Sequence, residues 1–412
     1  MTNLHKSLIA FDDSQSIDPF KRARVSIPVT VFDGKTQYSA VAFQWENSVA
    51  GSGSATHLPN ESSVRLRCTT TSGDAVYRQS HRYFRYQPDR GHRIDITGVM
   101  GAIKENVRQR IGYFDVRNGV FFEQNGSTLR VVRRSKASGS VVDLAVDQAD
   151  WNIDGLNAGL NPLNPSGITL DNTQGQVFVL DMQWLGHGRI RFGFDFGDRL
   201  VYCHEMKIAN ELNTVSMTTA TLPVRFEIEN TGTAASTTDL ITTCVAVTSE
   251  GGQVDSPGNP FSADNGITSI SVTTRRPVLS IRPALLFNSI PNRLILTPDI
   301  VTILLGSGSA LLELVYNPTS LTNASFAAVN SASGMERDVA ATALTGGTII
   351  DSWYASGGVG VTARGLAQRS LLSKLGLTLD MAETTADILT LVATAFTGSV
   401  DVNGAFHWSE LS

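Results

Sequence analysis

Charge is scarce in this chain: Asp, Glu, Lys and Arg make up 17% of its 412 residues, against about 25% in soluble domains generally. Surface this weakly charged suits a protein whose neighbours cover it. Cysteine is scarcer still, and Cys68, Cys203 and Cys244 are odd in number and widely spaced. That pattern excludes both a disulfide framework and a zinc-ligand signature, and each thiol reads as a small apolar side chain. No stretch approaches the roughly 18 uninterrupted apolar residues of a membrane span, and MTNLHKSLIAFDDSQ places Asp12 and Asp13 directly after a short apolar run. Neither a membrane partner nor a secretory leader is expected, so synthesis in a cytoplasm is. Nucleotide loops are missing too. Gly306-Ser307-Gly308 and Gly346-Gly347 lack the Lys-Ser/Thr ending that a phosphate-binding loop needs, and no nucleophile elbow stands before a helix. The expectation is therefore no enzyme, no catalytic residues, no cofactor and no bound metal.

What the chain does have is alternation. Along Val177–Glu205, Ile190, Phe192, Phe194 and Phe196 occupy every second position while Arg189, Arg191 and Asp195 point the other way, the period of a half-buried strand. Gly197-Asp198 breaks the run, and Leu200, Tyr202 and His204 resume it, which predicts a hairpin. The same grammar recurs along the chain. Asp33-Gly34 predicts a hairpin between the two runs of residues 23–45, and Asn118-Gly119 and Asn125-Gly126 predict two more. A last one is expected at Asn403-Gly404.

The fold class that follows is mainly β: a jelly-roll-like β-sandwich with a smaller β-rich C-terminal domain containing one or two short helices. The predicted parts are an N-terminal arm over 1–22, the sandwich over 23–276 and the C-terminal domain over 277–412, with the boundary at Arg275-Arg276-Pro277. Beyond it charge thins to sixteen ionisable Asp, Glu, Lys and Arg residues. Thr362–Leu375 and Met381–Phe396 carry the helical reading, on the spacing of Leu366, Ser370, Leu371 and Lys374.

The net charge of −5 hides an asymmetry, because residues 76–136 hold thirteen Lys and Arg against five Asp and Glu. Such a segment could serve nucleic acid, yet no RNA-binding or helix-turn-helix signature accompanies it, and arginines on the polar face of antiparallel strands are ordinarily paired or solvated. Nucleic acid is therefore not the expected partner. Arg82 and Arg85, in YRQSHRYFRYQPD, and Arg189 and Arg191 are the candidate interface residues, since Arg and Tyr are enriched where proteins meet. Trp151 and Trp353 are the candidate sugar-contact aromatics, weighed against the core positions that a large ring ordinarily takes. His187, His204 and Glu205 are the set nearest to a zinc site, but His204 and Glu205 point to opposite faces of one strand. The Asn/Gly/Pro-rich loop Trp151–Asp171 matches no calcium-loop spacing. Asp181 with Glu205, and Glu227 with Glu229, are the carboxylate pairs a glycosidase would require.

Several of these strings occur together: Tyr77–Arg134, WNIDGLN at Trp151–Asn157, DMQWLGHGRIRFGF at Asp181–Phe194, LPVRFEIENTG at Leu222–Gly232, TSEGG at Thr248–Gly252 and RPVLSIRP at Arg276–Pro283. As a set they resemble a family of uncharacterised virion structural proteins of tailed bacteriophages, over about residues 20–300 and more loosely beyond. The resemblance implies a structural component of the virion, made in the host cytoplasm. A head decoration or surface spike is the first expectation, assembled as a homotrimer against major capsid or tail proteins. The alternative is a tail, baseplate or fibre component whose sandwich binds a host glycan.

Overall fold

The computed structural model describes residues 27–157, 159–252, 258–357, 362–365 and 376–411. It divides into two compact units, Met1–Val254 and Asp255–Ser412. The arm expected over 1–22 lies outside the described residues.

Among the described residues unit 1 contains fifteen strands: β1 (Val29–Gly34), β2 (Trp45–Ala50), β3 (Ser54–Leu58), β4 (Ser63–Cys68), β5 (Ala75–Ser80), β6 (Gly91–Val99), β7 (Val107–Phe114), β8 (Gly119–Asn125), β9 (Thr128–Ser135), β10 (Val142–Asp147), β11 (Gln176–Met182), β12 (Ile190–Asp195), β13 (Leu200–Met206), β14 (Val224–Asn230) and β15 (Thr238–Glu250). They form two antiparallel sheets. One has eight strands in the order β13-β12-β11-β6-β15-β4-β3, with β1 also on β15, and the other seven in the order β10-β9-β8-β7-β14-β5-β2. The result is a jelly-roll-like sandwich. Its core is built by the inward half of each alternating strand, and Phe122 of the seven-stranded sheet meets Phe178, Phe192 and Phe194 of the other at 5.2, 5.6 and 4.9 Å between ring centroids. Rings of this size supply most of the apolar area that holds two sheets together.

The Asn-Gly turns behave as the sequence predicts, pairing β7 with β8 and β8 with β9. Asp33-Gly34 does not make a hairpin. The runs on either side go to different sheets, β1 onto β15 and β2 onto β5, and Phe32 packs on Trp45 across the core at 5.7 Å. A second correction concerns β13. Its register against β12 shifts by one between Phe192 and Gly193, a β-bulge that leaves Leu200 and Tyr202 on the outer face while His204 turns inward beside Phe192.

Unit 2 is a second two-sheet sandwich. One sheet comprises Asn259–Asp264, Val400–Leu411, Ile295–Leu305, Thr362–Gly365 and Ile270–Val272; the other comprises Ala327–Ala328, Met335–Asp338, Arg276–Pro283, Leu389–Ala395, Ser309–Tyr316 and Thr348–Ser356. Because Asn259–Asp264 and Ile270–Val272 pair with Val400–Leu411, the division lies ahead of them, and Arg276 begins a strand within the second unit. Asn403-Gly404 is mid-strand as well. A Cβ on Gly404 would lie 2.5 Å from Leu391 Cδ2, so the glycine permits close sheet packing where a turn was expected. No α-helix occurs among the described residues. Met381–Phe396 instead contains the strand Leu389–Ala395, in which Leu389, Leu391 and Ala393 enter the core at period two, and most of Leu366–Leu377 lies outside the described residues.

Candidate functional site

The outer faces of the unit 1 sheets carry rows of charged side chains. On β14, Val224, Phe226 and Ile228 are core residues, so Arg225, Glu227 and Glu229 face outward. Register then does what composition could not. It sets Tyr77, Glu227, Arg110, Glu123, Arg130 and Asp147 directly across from one another on β5, β14, β7, β8, β9 and β10. This row alternates in sign from Glu227 to Asp147. Arg110 bridges Glu123 at 2.6 Å and Glu227 at 2.9 Å, Arg225 bridges Glu227 at 2.5 Å, and Arg130 bridges Glu123 at 3.0 Å. Arg108 pairs with Glu229 and Arg134 with Asp143.

Burial alone would raise the Glu227 carboxyl, but the guanidiniums of Arg225 and Arg110 outweigh it and hold the group below the ordinary carboxylate range. Burial likewise opposes charge on Arg110, and Glu227 and Glu123 overcome it. The guanidiniums also cover aromatics: Arg110 lies 5.3 Å and Arg134 5.2 Å from the Phe121 ring centroid. Opposite Phe121 stands Gly112, where a Cβ would come within 2.4 Å of Phe121 Cβ. Arg108, Arg110, Arg130 and Arg134 of the basic segment are thus each paired with a carboxylate of their own sheet.

The eight-stranded sheet repeats the motif on its outer face, where Arg93, Asp181, Arg191 and Glu205 stand in one row across β6, β11, β12 and β13. Asp181 and Arg191 are both fully buried and bonded at 2.5 Å. Tyr202 donates its hydroxyl to Asp181 at 2.6 Å, and Arg191 lies 4.0 Å over the Tyr202 ring. Arg189 is buried against Glu205 at 2.6 Å.

These positions decide several expectations. Arg189 and Arg191 are buried and each is paired with a carboxylate of its own sheet, Arg191 with its register partner Asp181 and Arg189 with Glu205. Arg82 and Arg85 are half-buried, with Arg82 lying 5.8 Å over the Phe84 ring. Trp151 and Trp353 are buried, Trp151 donating to Val146 O at 3.3 Å, so neither presents a ring for a sugar. The exposed ring is that of the next residue after Trp353. Tyr354 points outward on alternate register, 74% exposed, and packs at 5.6 Å on Phe396, which is 57% exposed.

His187 is exposed, while His204 turns inward and accepts from Asn152 N at 3.3 Å. Among the described residues no group of three or more His, Cys, Asp or Glu side chains gathers in the manner of a metal site. In the loop Trp151–Asp171, Asp154 accepts from Leu156 N and Ser166 N, and Asn164 Oδ1 also accepts from Leu156 N. Those oxygens brace the loop itself. Cys68 and Cys203 are buried, and burial pushes the Cys68 thiol up to about 12; Cys244 is exposed, contrary to its reading as a core thiol. No helix of the described residues is long and apolar enough to cross a membrane.

Fold and site together define a two-unit antiparallel β-sandwich protein. No protein-family model matches the sequence, and no curated protein matches it. Solved structures do match unit-sized portions. A glycoside hydrolase family protein from Mycobacterium thermorestibile is 12% identical with a TM-score of 0.36, the match covering 53% of this chain and 99% of that one. A glycoside hydrolase family 16 endo-glucanase from Bacteroides ovatus is 7% identical at 0.35, over 53% and 99%. A legume lectin-like domain from Entamoeba histolytica is 9% identical at 0.31, over 53% and 97%. What they share with this chain is sandwich architecture. Since glucanases stand among the matches, the expectation of no enzyme is overturned and withdrawn.

Proposed function

We propose that this chain is a structural component of a tailed-phage virion, incorporated in repeated copies as a head decoration or surface spike and working through protein–protein contact. The observation that carries the reading is where the structure spends its charge and where it leaves apolar surface. On both unit 1 sheets the arginines and carboxylates of the outer faces are largely paired with one another, which makes those faces stiff and nearly neutral. Apolar side chains emerge elsewhere, at a strand edge and in a loop: Val141, Val142 and Leu144 are 46–55% exposed, and Leu160 and Leu163 are 79% and 76% exposed. Exposed apolar groups gathered in this way mark contact sites. The sequence resemblance and the low charge fraction point the same way. Adding the purified chain to particles that lack it, then sedimenting them, tests the reading: saturable co-sedimentation is expected, and recovery in the supernatant at every concentration contradicts it.

One observation favours a second reading, a glycan-binding role within the same kind of particle. The Tyr354–Phe396 pair offers two solvent-facing rings on which the C–H face of a pyranose could stack. On a glycan array, binding that disappears in Tyr354→Ala supports this reading, and no binding by the native chain ends it. Release of reducing ends from an oligosaccharide that does bind would move the assignment to hydrolysis.

A further inference from the structure

We propose that a second copy of this chain pairs antiparallel with β10, joining two seven-stranded sheets across a two-fold axis at Leu144. β10 ends its sheet, bonded to β9 on one side and to no other strand among the described residues. An edge of this kind presents unpaired N–H and C=O groups that template another strand, and proteins usually blunt it with charged side chains, Lys above all, with Pro or with a bulge. β10 has no Lys, Pro or bulge; its charges are Asp143, which is paired with Arg134, and Asp147. It pairs with β9 in unbroken register over all six residues of VDLAVD, and Val142 and Leu144 are 55% and 48% exposed.

The sequence of the edge argues that the occupant is the same strand. Val142, Leu144 and Val146 share one face, and this triad reads identically in both directions about Leu144, as an isologous two-fold contact requires. Directly opposed residues in a sheet point to the same face, so a two-fold axis normal to the sheet must pass through a residue pair. That leaves few registers, and charge separates them. An axis at Asp143 sets Asp143 against itself, and an axis at Ala145 sets Asp143 against Asp147; like charges directly opposite destabilise a pair. With the axis at Leu144, Leu144 meets Leu144 of the second copy, Val142 meets Val146, and Asp143 meets Ala145. Asp143 also keeps its own partner, Arg134, at 2.8 Å. The opposite end of the sheet is different, because β2 reads WENSVA and places Asn47 and Ser48 at its centre.

The proposal is independent of the virion reading, and it gives a closed pair where the sequence reading expected a trimer. Sedimentation equilibrium of the full chain should show a dimer. Leu144→Lys should give a monomer of unchanged melting temperature, since the side chain is half-exposed in one copy, and so should Leu144→Glu. Mixing those two variants should restore the dimer. In a Cys244→Ser background, Leu144→Cys should cross-link on mild oxidation and Ala145→Cys should not, which fixes the axis. A monomer at all concentrations, a dimer indifferent to Leu144→Lys, or cross-linking at residue 145 in preference to 144 would each overturn it. Capture of a strand from another protein by a monomeric chain counts against it as well.

Discussion

Asp181→Asn is the sharpest single perturbation of unit 1. Its carboxylate and the Arg191 guanidinium are both fully buried at 2.5 Å, and the Tyr202 hydroxyl adds a 2.6 Å bond to the same Asp181 oxygen. Asparagine keeps the shape and removes the charge that the buried guanidinium faces at 2.5 Å. Breaking a buried pair from one side costs about 3–5 kcal/mol, whereas replacing both partners with apolar groups of similar size is close to neutral. Asp181→Asn should therefore lose roughly 3 kcal/mol, or ~6–12 °C in melting temperature for a unit of this size. Asp181→Leu combined with Arg191→Met should recover most of that loss. Asp95→Asn is the control, because Arg93 and Asp95 are 24% and 26% exposed at 2.9 Å, and pairs at such accessibility are worth about 0–1 kcal/mol. Hydrogen exchange in urea, read on peptides from β11 to β13, reports unit 1 separately from unit 2. A loss no larger than that of the control, or a double variant as unstable as the single one, refutes the reasoning.

Acid should weaken unit 1 before its carboxylates titrate. His92 is buried in contact with Tyr113, and burial lowers its pKa to about 4. The unfolded chain takes up this proton near 6.5, so stability falls as pH drops from 6.5 toward 4, by about 3 kcal/mol in all, and His92 contributes nothing above that window. Urea midpoints at pH 7 and pH 5 should differ in the native chain and differ less in His92→Phe. Gly112→Ala should destabilise by about 2 kcal/mol or more, since its new Cβ meets Phe121 Cβ and Val120 O at 2.4 Å. Gly175→Ala, with nothing within 4 Å, should stay within about 0.5 kcal/mol; equal melting temperatures for the two variants would contradict this. A thiol reagent should label the folded chain once, at Cys244, and reach Cys68 and Cys203 only on unfolding.

Strand identity is readable wherever apolar side chains fill one face alone, as Ile190, Phe192 and Phe194 do at period two on β12 while Arg191 takes the other face. The Asn-Gly turns were readable as well, since positive φ at Gly126 and Gly119 suits glycine. Asp33-Gly34 and Asn403-Gly404 show the limit of that signal. The same dipeptides sit at a strand end and mid-strand when a bulky neighbour, Phe32 or Leu391, needs the missing Cβ. Met381–Phe396 reads as non-strand in sequence because a short apolar run carries no period of its own, yet Leu389–Ala395 within it is a strand. The charged rows were hidden for a different reason. Arg110, Glu123 and Glu227 lie far apart in sequence, and only cross-strand register shows that they neutralise each other. For Arg189 and Arg191 the outward face was read correctly and its occupant was not, because the row itself covers that face. Trp353 and Tyr354 differ by a single position, yet alternation buries one and exposes the other.

The proposal that this chain acts by repeated contact within a phage particle is tested most directly by counting it there. Purified virions of a phage that encodes it should contain the intact chain in many copies, a fixed number per particle, and reconstruction should find paired sandwiches at symmetry-related surface positions. Virions that carry none of it, with the chain recovered entirely in the soluble fraction of the lysate, would contradict the account.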